Sequence, residues 1–598
     1  MRRALPFLAG GIALALVLGL RLADPKPVEL FRHWVFDSYQ RIEPREYRPA
    51  GVRIVDIDEA SLERLGQWPW PRTVLADLVT RLRDMGAAVI AFDVVFAEPD
   101  RTSPERVLAA WEGKGLGPEA REALAALPDP DAVFAEAIRA APVVTGFAPN
   151  PLASPGTPPR QAGFAHRGPD PAPALPGFEG VTTNLPTIAG AAKGNGSFGI
   201  STELDAVIRR VPLFQRVGGE IYPALAMEAL RVGQGASTHL IRTAGGGGSP
   251  VSVTHVKVGR IEAPTTARGE LYLYDTGYQR DRWVPAWRVL DRASAGRVAE
   301  LVRGHVVLIG TSAAGLKDLR ATPASASVGG VSVHAQAIEQ MILGEHLRRP
   351  DWATGLEVVV FLVAGIGLIA LLPRVGAFWC SGIAAAAIAG GLGASWWAFA
   401  ERQFLFDPIY PILAVMAIYM PTLATLFVQT ESEKRFVRDA FGRYLSPALV
   451  ERLAENPDRL RLDGEDRELT VMFSDIRGFT AFSESMEPGE LTRFMNRYLT
   501  AMSEPILAES GYIDKYIGDA IMAFWNAPLD DEAHAVHACE AVLAMRAAGV
   551  RLNAARAAEA GEAGEGGAAA PVVTGIGLHT GLCRVGNMGS DIRFNYSV

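Results

Sequence analysis

The sequence predicts a multidomain membrane protein: an α/β domain, four transmembrane helices, and an α+β domain of ferredoxin-like (βαββαβ) order towards the C-terminal end. Three observations carry that prediction. Four long apolar runs interrupt the chain, one at its start and three between residues 356 and 428. Apolar strand patterns alternate with helical ones through the first half. From Glu468 onward the order reads strand, helices, hairpin, helix, strand, strand.

Ala4 to Leu20 follows Met1-Arg2-Arg3 and lacks a small-x-small cleavage site. It reads as a retained signal anchor within residues 1–22, with a cleaved signal peptide as the rival. Leu356 to Leu372, Val375 to Ala400 and Pro408 to Val428 each meet or approach the roughly 20 apolar residues needed to cross a bilayer. They are expected as three spans within 354–428. Nothing polar marks a solvent face on them, which disfavours buried core helices, and Glu357 at the rim of the first fits a membrane interface. With four spans, Arg2, Arg3, Arg374 and the Lys434-Arg435 pair fall on one side. The chain is then a multi-pass protein of the inner or plasma membrane, with residues 23–353 outside and the C-terminal domain in the cytoplasm. Arg21 and Arg402 lie against that bias. The net charge of −8 and the absence of a basic stripe exclude a general nucleic-acid binder. None of the three cysteines lies in residues 23–353, so that region is expected to fold without disulfides. Cys380, Cys539 and Cys583 read as ordinary core residues.

Within 23–353, Val52 to Ile57, Ala87 to Val95 and His305 to Gly310 are apolar strand patterns, and Val74 to Met85 is an amphipathic helix. The alternation argues for a parallel sheet. Pro151 to Gly180 and Gly245 to Ser249 read as loops. The strings I-D-E-A-S-L-x-R-L-G-Q-W-P-W-P-R, F-D-V-V-F-A-E-P-D, V-L-I-G-T-S-A-A-G-L-K-D and G-V-S-V-H-A-Q resemble the second class of CHASE extracytoplasmic sensor domains, over roughly Val28 to Pro350. That resemblance implies a sensor ahead of several spans and a cytoplasmic output domain, and leaves its extracytoplasmic ligand unknown. Asp56, Asp58, Asp93 and Glu98 at strand ends could take a cation or polar ligand at the sheet's carboxyl edge, or could simply cap helices. Gly310-Thr311-Ser312 could form an anion-binding turn.

In the last region, Leu469 to Phe473 is a short apolar run ending at Ser474-Asp475, and Tyr512 to Trp525 reads as a hairpin turning at Gly518-Asp519. If the two pair in one sheet, Asp475 and Asp519 sit side by side at its edge. Either alone reads as a strand-end cap. Together they make a hard oxygen site suited to Mg²⁺ and phosphates. F-S-D-I-R-G-F-T and K-Y-I-G-D resemble the two metal motifs of the class III nucleotide cyclases, with the resemblance running from about Arg467 to Val598.

That resemblance implies an adenylate cyclase that converts ATP to 3′,5′-cyclic AMP and pyrophosphate. Asp475 and Asp519 would hold two Mg²⁺ ions, with Mn²⁺ as a substitute and the Ile476 backbone carbonyl as a further ligand. Phe479 and Thr480 are implied as substrate-binding. Lys515 stands where adenylate cyclases of the family keep lysine and guanylate cyclases glutamate, and a cationic donor suits adenine N1. Without the motif, Lys515 would read as an exposed strand lysine. The second base-contacting position falls at Ser597, which permits adenine without enforcing it. The family builds its site across a homodimer, through the cyclase domain and the connector that precedes it.

The connector, 429–466, shows helical periodicity over Glu431 to Phe441 and again from Ala448 to Ala454. It could pair as a parallel coil or act as a passive tether. Ala554 to Ala570 reads as a flexible surface insert. The family's Asn and Arg that orient the ribose and stabilise the transition-state phosphate would follow Val598, so residues 467–598 are expected to be an incomplete catalytic domain and the chain as given inactive. A guanylate cyclase, and a receptor with an inactive cyclase-like module, are the alternatives. A diguanylate cyclase is disfavoured, because no G-G-D/E-E-F turn occurs.

Overall fold

Six consecutive buried residues, Val52–Ile57, form the strand next to the edge of a seven-stranded sheet whose main strands run parallel. Both faces of such a strand are covered, so its sequence is a continuous apolar run rather than an alternation. In the computed structural model, residues 5–112, 114–150, 152, 156–200, 203, 205–316, 318–375, 377–441, 464–562, 570–590 and 593–598 are described. The chain falls into two compact units, one of Phe7–Met420 and one of Pro421–Val598 together with Met1–Pro6.

In the first unit, Trp283–Pro285, Val52–Ile57, Val306–Thr311, Val89–Phe92 and Val143–Asn150 stand side by side in that order, all parallel. Gly194–Ser197 continues the sheet in parallel. One face packs against helices Arg72–Asp84, Pro130–Arg139 and Ala295–Val302 through Leu75, Leu78, Val79, Phe134, Ile138 and Val298. The other is covered by Leu225–Gly233 and the almost wholly buried helix Gly330–Leu343. The strand expected over Ala87 to Val95 is shorter, Val89–Phe92, because the chain leaves the sheet at Asp93. The expected loop from Pro151 to Gly180 contains two strands. Gly163–Arg167 pairs with Thr238–Gly246, and Gly177–Phe178 pairs with Phe214–Val217. Short strands flanked by Gly and Pro carry too little alternation to announce themselves.

The four expected spans are not all found. Ala353–Leu371 and Phe378–Arg402 are long and apolar enough to cross a membrane. The N-terminal run forms a helix that bends by 82° into Lys26–Ile42, so the two together make at most one further span. Pro25, with no N–H to continue the first helix, stands at the bend. The last apolar stretch, Ile409–Thr425, is shorter still and opens a helix that runs on to Phe441. About 17 residues at 1.5 Å each give ~26 Å, short of a ~30 Å hydrocarbon core. Glu357 is buried rather than merely interfacial. It accepts from Arg21 at 2.9 Å, Arg349 at 2.8 Å and the Asp407 N–H at 2.9 Å.

The second unit carries a five-stranded antiparallel sheet in the order Tyr512–Ile517, Ala520–Trp525, Glu465–Ile476, Thr574–Ser590, Arg593–Ser597. With helices Phe479–Glu484, Pro488–Ala508 and His534–Glu562 this is the expected βαββαβ order with one added strand. The two long helices cover one face, where Met472, Ile476, Ile521 and Trp525 meet Tyr498, Met502, Ala541 and Met545. The last helix runs into the insert expected over Ala554 to Ala570, as far as Glu562, since Ala and Glu are strong helix formers. Arg497 grips its extension through Glu559 at 2.9 and 3.0 Å. The connector is helical as far as Phe441, and the helix expected over Ala448 to Ala454 lies outside the described residues. Cys380 is buried, Cys583 half-buried and Cys539 exposed, so the last is not a core residue.

Candidate active site

Strand alternation sorts the second unit's sheet into two faces. Met472 and Ile476 point towards the helices, which leaves Leu469, Val471, Phe473 and Asp475 on the open face. Asp475 stands one residue beyond Ser474, the last residue of its strand to pair with Ala520–Trp525. Asp519 sits in the hairpin turn that starts that neighbouring strand, where Gly518 adopts φ 67° and so tolerates a turn that a side chain would strain. The Ile476 N–H donates to Asp519 Oδ2 at 3.1 Å, which ties the two strand ends together.

Partial burial and the Asp475 carboxyl beside it push the Asp519 carboxyl above its ordinary value. Two carboxylates held this close repel unless a proton or a cation sits between them, so the donor set fits a hard divalent ion. Among the described residues no group of three or more His, Cys, Asp or Glu side chains converges, so protein carboxylates supply only part of such an ion's shell. Phe479 and Thr480 open the short helix that follows Gly478, which has φ 72°. Phe479 packs against the core and Thr480 is exposed. Tyr498 lies beneath the pair. Its hydroxyl bonds Thr574 Oγ1 at 3.0 Å, and burial, with the two aspartates nearby, raises its pKa. Nothing in the local sequence pattern singled it out.

At the other end of the hairpin a bulge decides where Lys515 points. Ile513 pairs with Ala523 and Lys515 with Met522, so Asp514 is an extra residue against its partner strand. Strict alternation would send Lys515 to the helix side with Ile513. The bulge turns it to the open face, where Lys515 Nζ donates to Ser597 Oγ at 3.2 Å. The Ser597 hydroxyl donates to Asp514 Oδ2 at 2.5 Å, and Lys515 Nζ is 3.5 Å from Asp514 Oδ1. Asp514 and Ser597 are buried, while Lys515 is 42% exposed. The outer strands therefore meet across the open face, reinforced by Tyr512 and Tyr596 with ring centroids 5.6 Å apart. Two of the expected groupings are thus brought together, Asp475 with Asp519 and Ile476, and Lys515 with Ser597. Asp514 is the member that sequence reasoning missed.

The strand-end acids of the first unit scatter. Asp58 caps the helix Glu59–Leu65 through the Ser61 N–H at 2.8 Å, and Asp56 accepts from the Ser312 hydroxyl at 2.6 Å. The Ser312 hydroxyl is thereby committed to a carboxylate, and a side chain at Gly310 would meet Val331. Glu98 is exposed, and Asp93 lines a cavity.

A parallel-sheet unit followed by membrane-type helices and a ferredoxin-like unit with a paired-aspartate edge defines a sensor joined to a nucleotide cyclase domain. Residues 12–372 match the CHASE2 domain, more than half of the chain, and the chain belongs to that family. Residues 464–598 match the adenylate and guanylate cyclase catalytic domain. An adenylate cyclase of Anabaena cylindrica is 34% identical over 168 residues, 28% of this chain and 30% of that protein. The crystal structure of the adenylyl cyclase CyaB from P. aeruginosa shares 39% identity over 23% of this chain and 67% of that one, with a TM-score of 0.21. That of the guanylyl cyclase Cya2 shares 33% over 22% and 64%, with a TM-score of 0.20. The chain spans less than a third of the length of the curated relatives it matches.

Proposed function

We propose that this chain is a membrane-bound adenylate cyclase, forming 3′,5′-cyclic AMP and pyrophosphate from ATP under the control of its CHASE2 domain. The observation that carries the choice of base is the Asp514 bulge, which presents the Lys515 ammonium beside Ser597 on the same open face that bears Asp475. A lysine there donates to the adenine N1 acceptor and meets a donor in guanine, while Ser597 accepts either partner. Asp475 and Asp519, with the Ile476 carbonyl, would hold two Mg²⁺ ions, or Mn²⁺. Bound there, the ions would lower the pKa of the ribose 3′-hydroxyl and offset charge on the triphosphate as pyrophosphate leaves. Phe479 and Thr480 open the Phe479–Glu484 helix, whose first N–H groups would suit phosphate oxygens. The open face, with Phe473 half exposed, suits a second copy of the same domain, so that each site draws on both subunits of a homodimer. The catalytic domain would lie in the cytoplasm, where its substrate ATP is found.

The deciding experiment is Lys515→Glu in the full chain, with binding of ATP and of GTP measured. The ATP preference is expected to fall about tenfold or more, as a donor facing N1 becomes an acceptor. An unchanged ratio would remove Lys515 from the base pocket and with it the case for adenine.

A further inference from the structure

At the carboxyl edge of the parallel sheet lies a cavity of about 690 Å³ that the catalytic reading does not use. Thr311 ends one strand beside it, Asp93 follows Val89–Phe92, and Ala148 and Pro149 lie near the end of a third. Open α/β sheets bind their ligands at this edge. The volume falls within the ~300–1,000 Å³ of small-molecule sites. Trp68, Phe178 and Phe198 supply aromatic wall, and the buried helix Gly330–Leu343 brings His334 to the opposite side.

The polar groups are unevenly satisfied. Asp318 is paired with Arg320 at 3.3 Å. Asp93, half-buried, has no side-chain hydrogen bond or ion pair among the described residues. Burial and the charge of Asp318 push its carboxyl well above the usual carboxylate range. His334 is buried. Its Nε2 lies 3.3 Å from the Phe198 carbonyl, and its Nδ1 has no partner. Burial lowers its pKa to about 4, so it contributes a neutral ring and no competing charge.

An unpaired carboxylate inside a protein is costly, and a cation lodged beside it offsets that cost. The cation that fits is not a metal ion. No three metal-ligating side chains converge among the described residues, and the cavity is many times larger than an ion needs. An anion is disfavoured, since Arg320 is already committed to Asp318. Aromatic faces beside a carboxylate suit an ammonium group with an organic body. We propose that this cavity is the ligand site of the CHASE2 domain and takes a small organic amine as its ammonium ion, with Asp93 as the counter-ion.

The test is direct binding to the full chain in detergent micelles, which does not depend on the cyclase reading. Ethanolamine, putrescine and tyramine are titrated calorimetrically near neutral pH, with 4-ethylphenol as the neutral counterpart of tyramine. At least one amine is expected to bind saturably. Asp93→Asn should weaken it at least tenfold, while the exposed Glu98→Gln leaves it unchanged. The unliganded Asp93→Asn chain should melt no lower than wild type, which separates lost binding from lost folding. In the wild-type chain, amine affinity should fall as pH drops and Asp93 takes up a proton, with Asp318, Arg320 and neutral His334 the other titratable groups facing it. No saturable binding by any of the three, equal binding by Asp93→Asn, or equal binding of the neutral phenol would each overturn the proposal.

Discussion

Asp514 offers a perturbation whose size follows from its contacts. Its carboxylate is the acceptor for the buried Ser597 hydroxyl at 2.5 Å and lies 3.5 Å from the Lys515 ammonium. Asp514→Ala leaves that hydroxyl without its acceptor, a loss of about 1–3 kcal/mol for a buried donor. The ion pair adds less, ~0.2–1 kcal/mol, because Lys515 is 42% exposed and screened by solvent. A total of about 2–3 kcal/mol is expected. It should be confined to the two outer strands, since the helix-side core does not touch the cluster. Hydrogen exchange on the full chain reads this by region. Amides of Tyr512–Ile517 should exchange roughly 30- to 150-fold faster, at 1.4 kcal/mol per factor of ten. Amides of Pro488–Ala508 should be unaffected. Asp514→Asn keeps the acceptor and loses the charge, so its effect should be about 1 kcal/mol. If Asp514→Ala changes exchange less than threefold in those strands, the cluster does not hold them together and the bulge is incidental.

The remaining predictions concern charge. Asp475→Asn or Asp519→Asn should weaken Mn²⁺ binding about tenfold or more while leaving the melting temperature unchanged or higher, measured by paramagnetic resonance and calorimetry, since each removes an anionic ligand and one of two repelling carboxylates. The Asp519 carboxyl is raised, so protons compete with the cation there. Mn²⁺ binding followed by paramagnetic resonance should weaken as pH falls through the acidic range, and the same group adds stability to the metal-free fold at low pH that is lost as pH rises. Glu339 joins Arg282 at 2.8 Å and Arg45 at 3.0 Å with all three side chains buried, and Glu339→Ala should cost the first unit about 3–5 kcal/mol by thermal unfolding, because the Arg282 guanidinium loses its counter-charge and Arg45 keeps only Glu345 at 3.4 Å.

What was legible in the sequence was whatever local pattern determines. Val52–Ile57 and Val306–Thr311 are apolar on both faces, and Gly518-Asp519 between two β-rich runs admits little but a hairpin. The pairing of Asp475 with Asp519 then follows from register, because Ser474 pairs with Ile521. Two features were not legible, each for a physical reason. Hydropathy counts apolar residues but not bends, so a run whose helix turns sharply at Pro25 and another of about 17 residues both looked like spans. Glu357 looked like a rim residue because two of its partners, Arg21 and Asp407, come from distant stretches of chain. The bulge is the sharper case. A period of two assigns Lys515 to the helix side, where an ammonium would be buried against Tyr498 and Met502 and serve no ligand. One extra residue, Asp514, reverses that assignment and supplies the carboxylate that orients the outcome. The residue that decides which face the lysine serves is therefore not the lysine but its neighbour. A motif that names only Lys515 and Asp519 describes the ends of a hairpin whose geometry is set by the residue between Ile513 and Lys515.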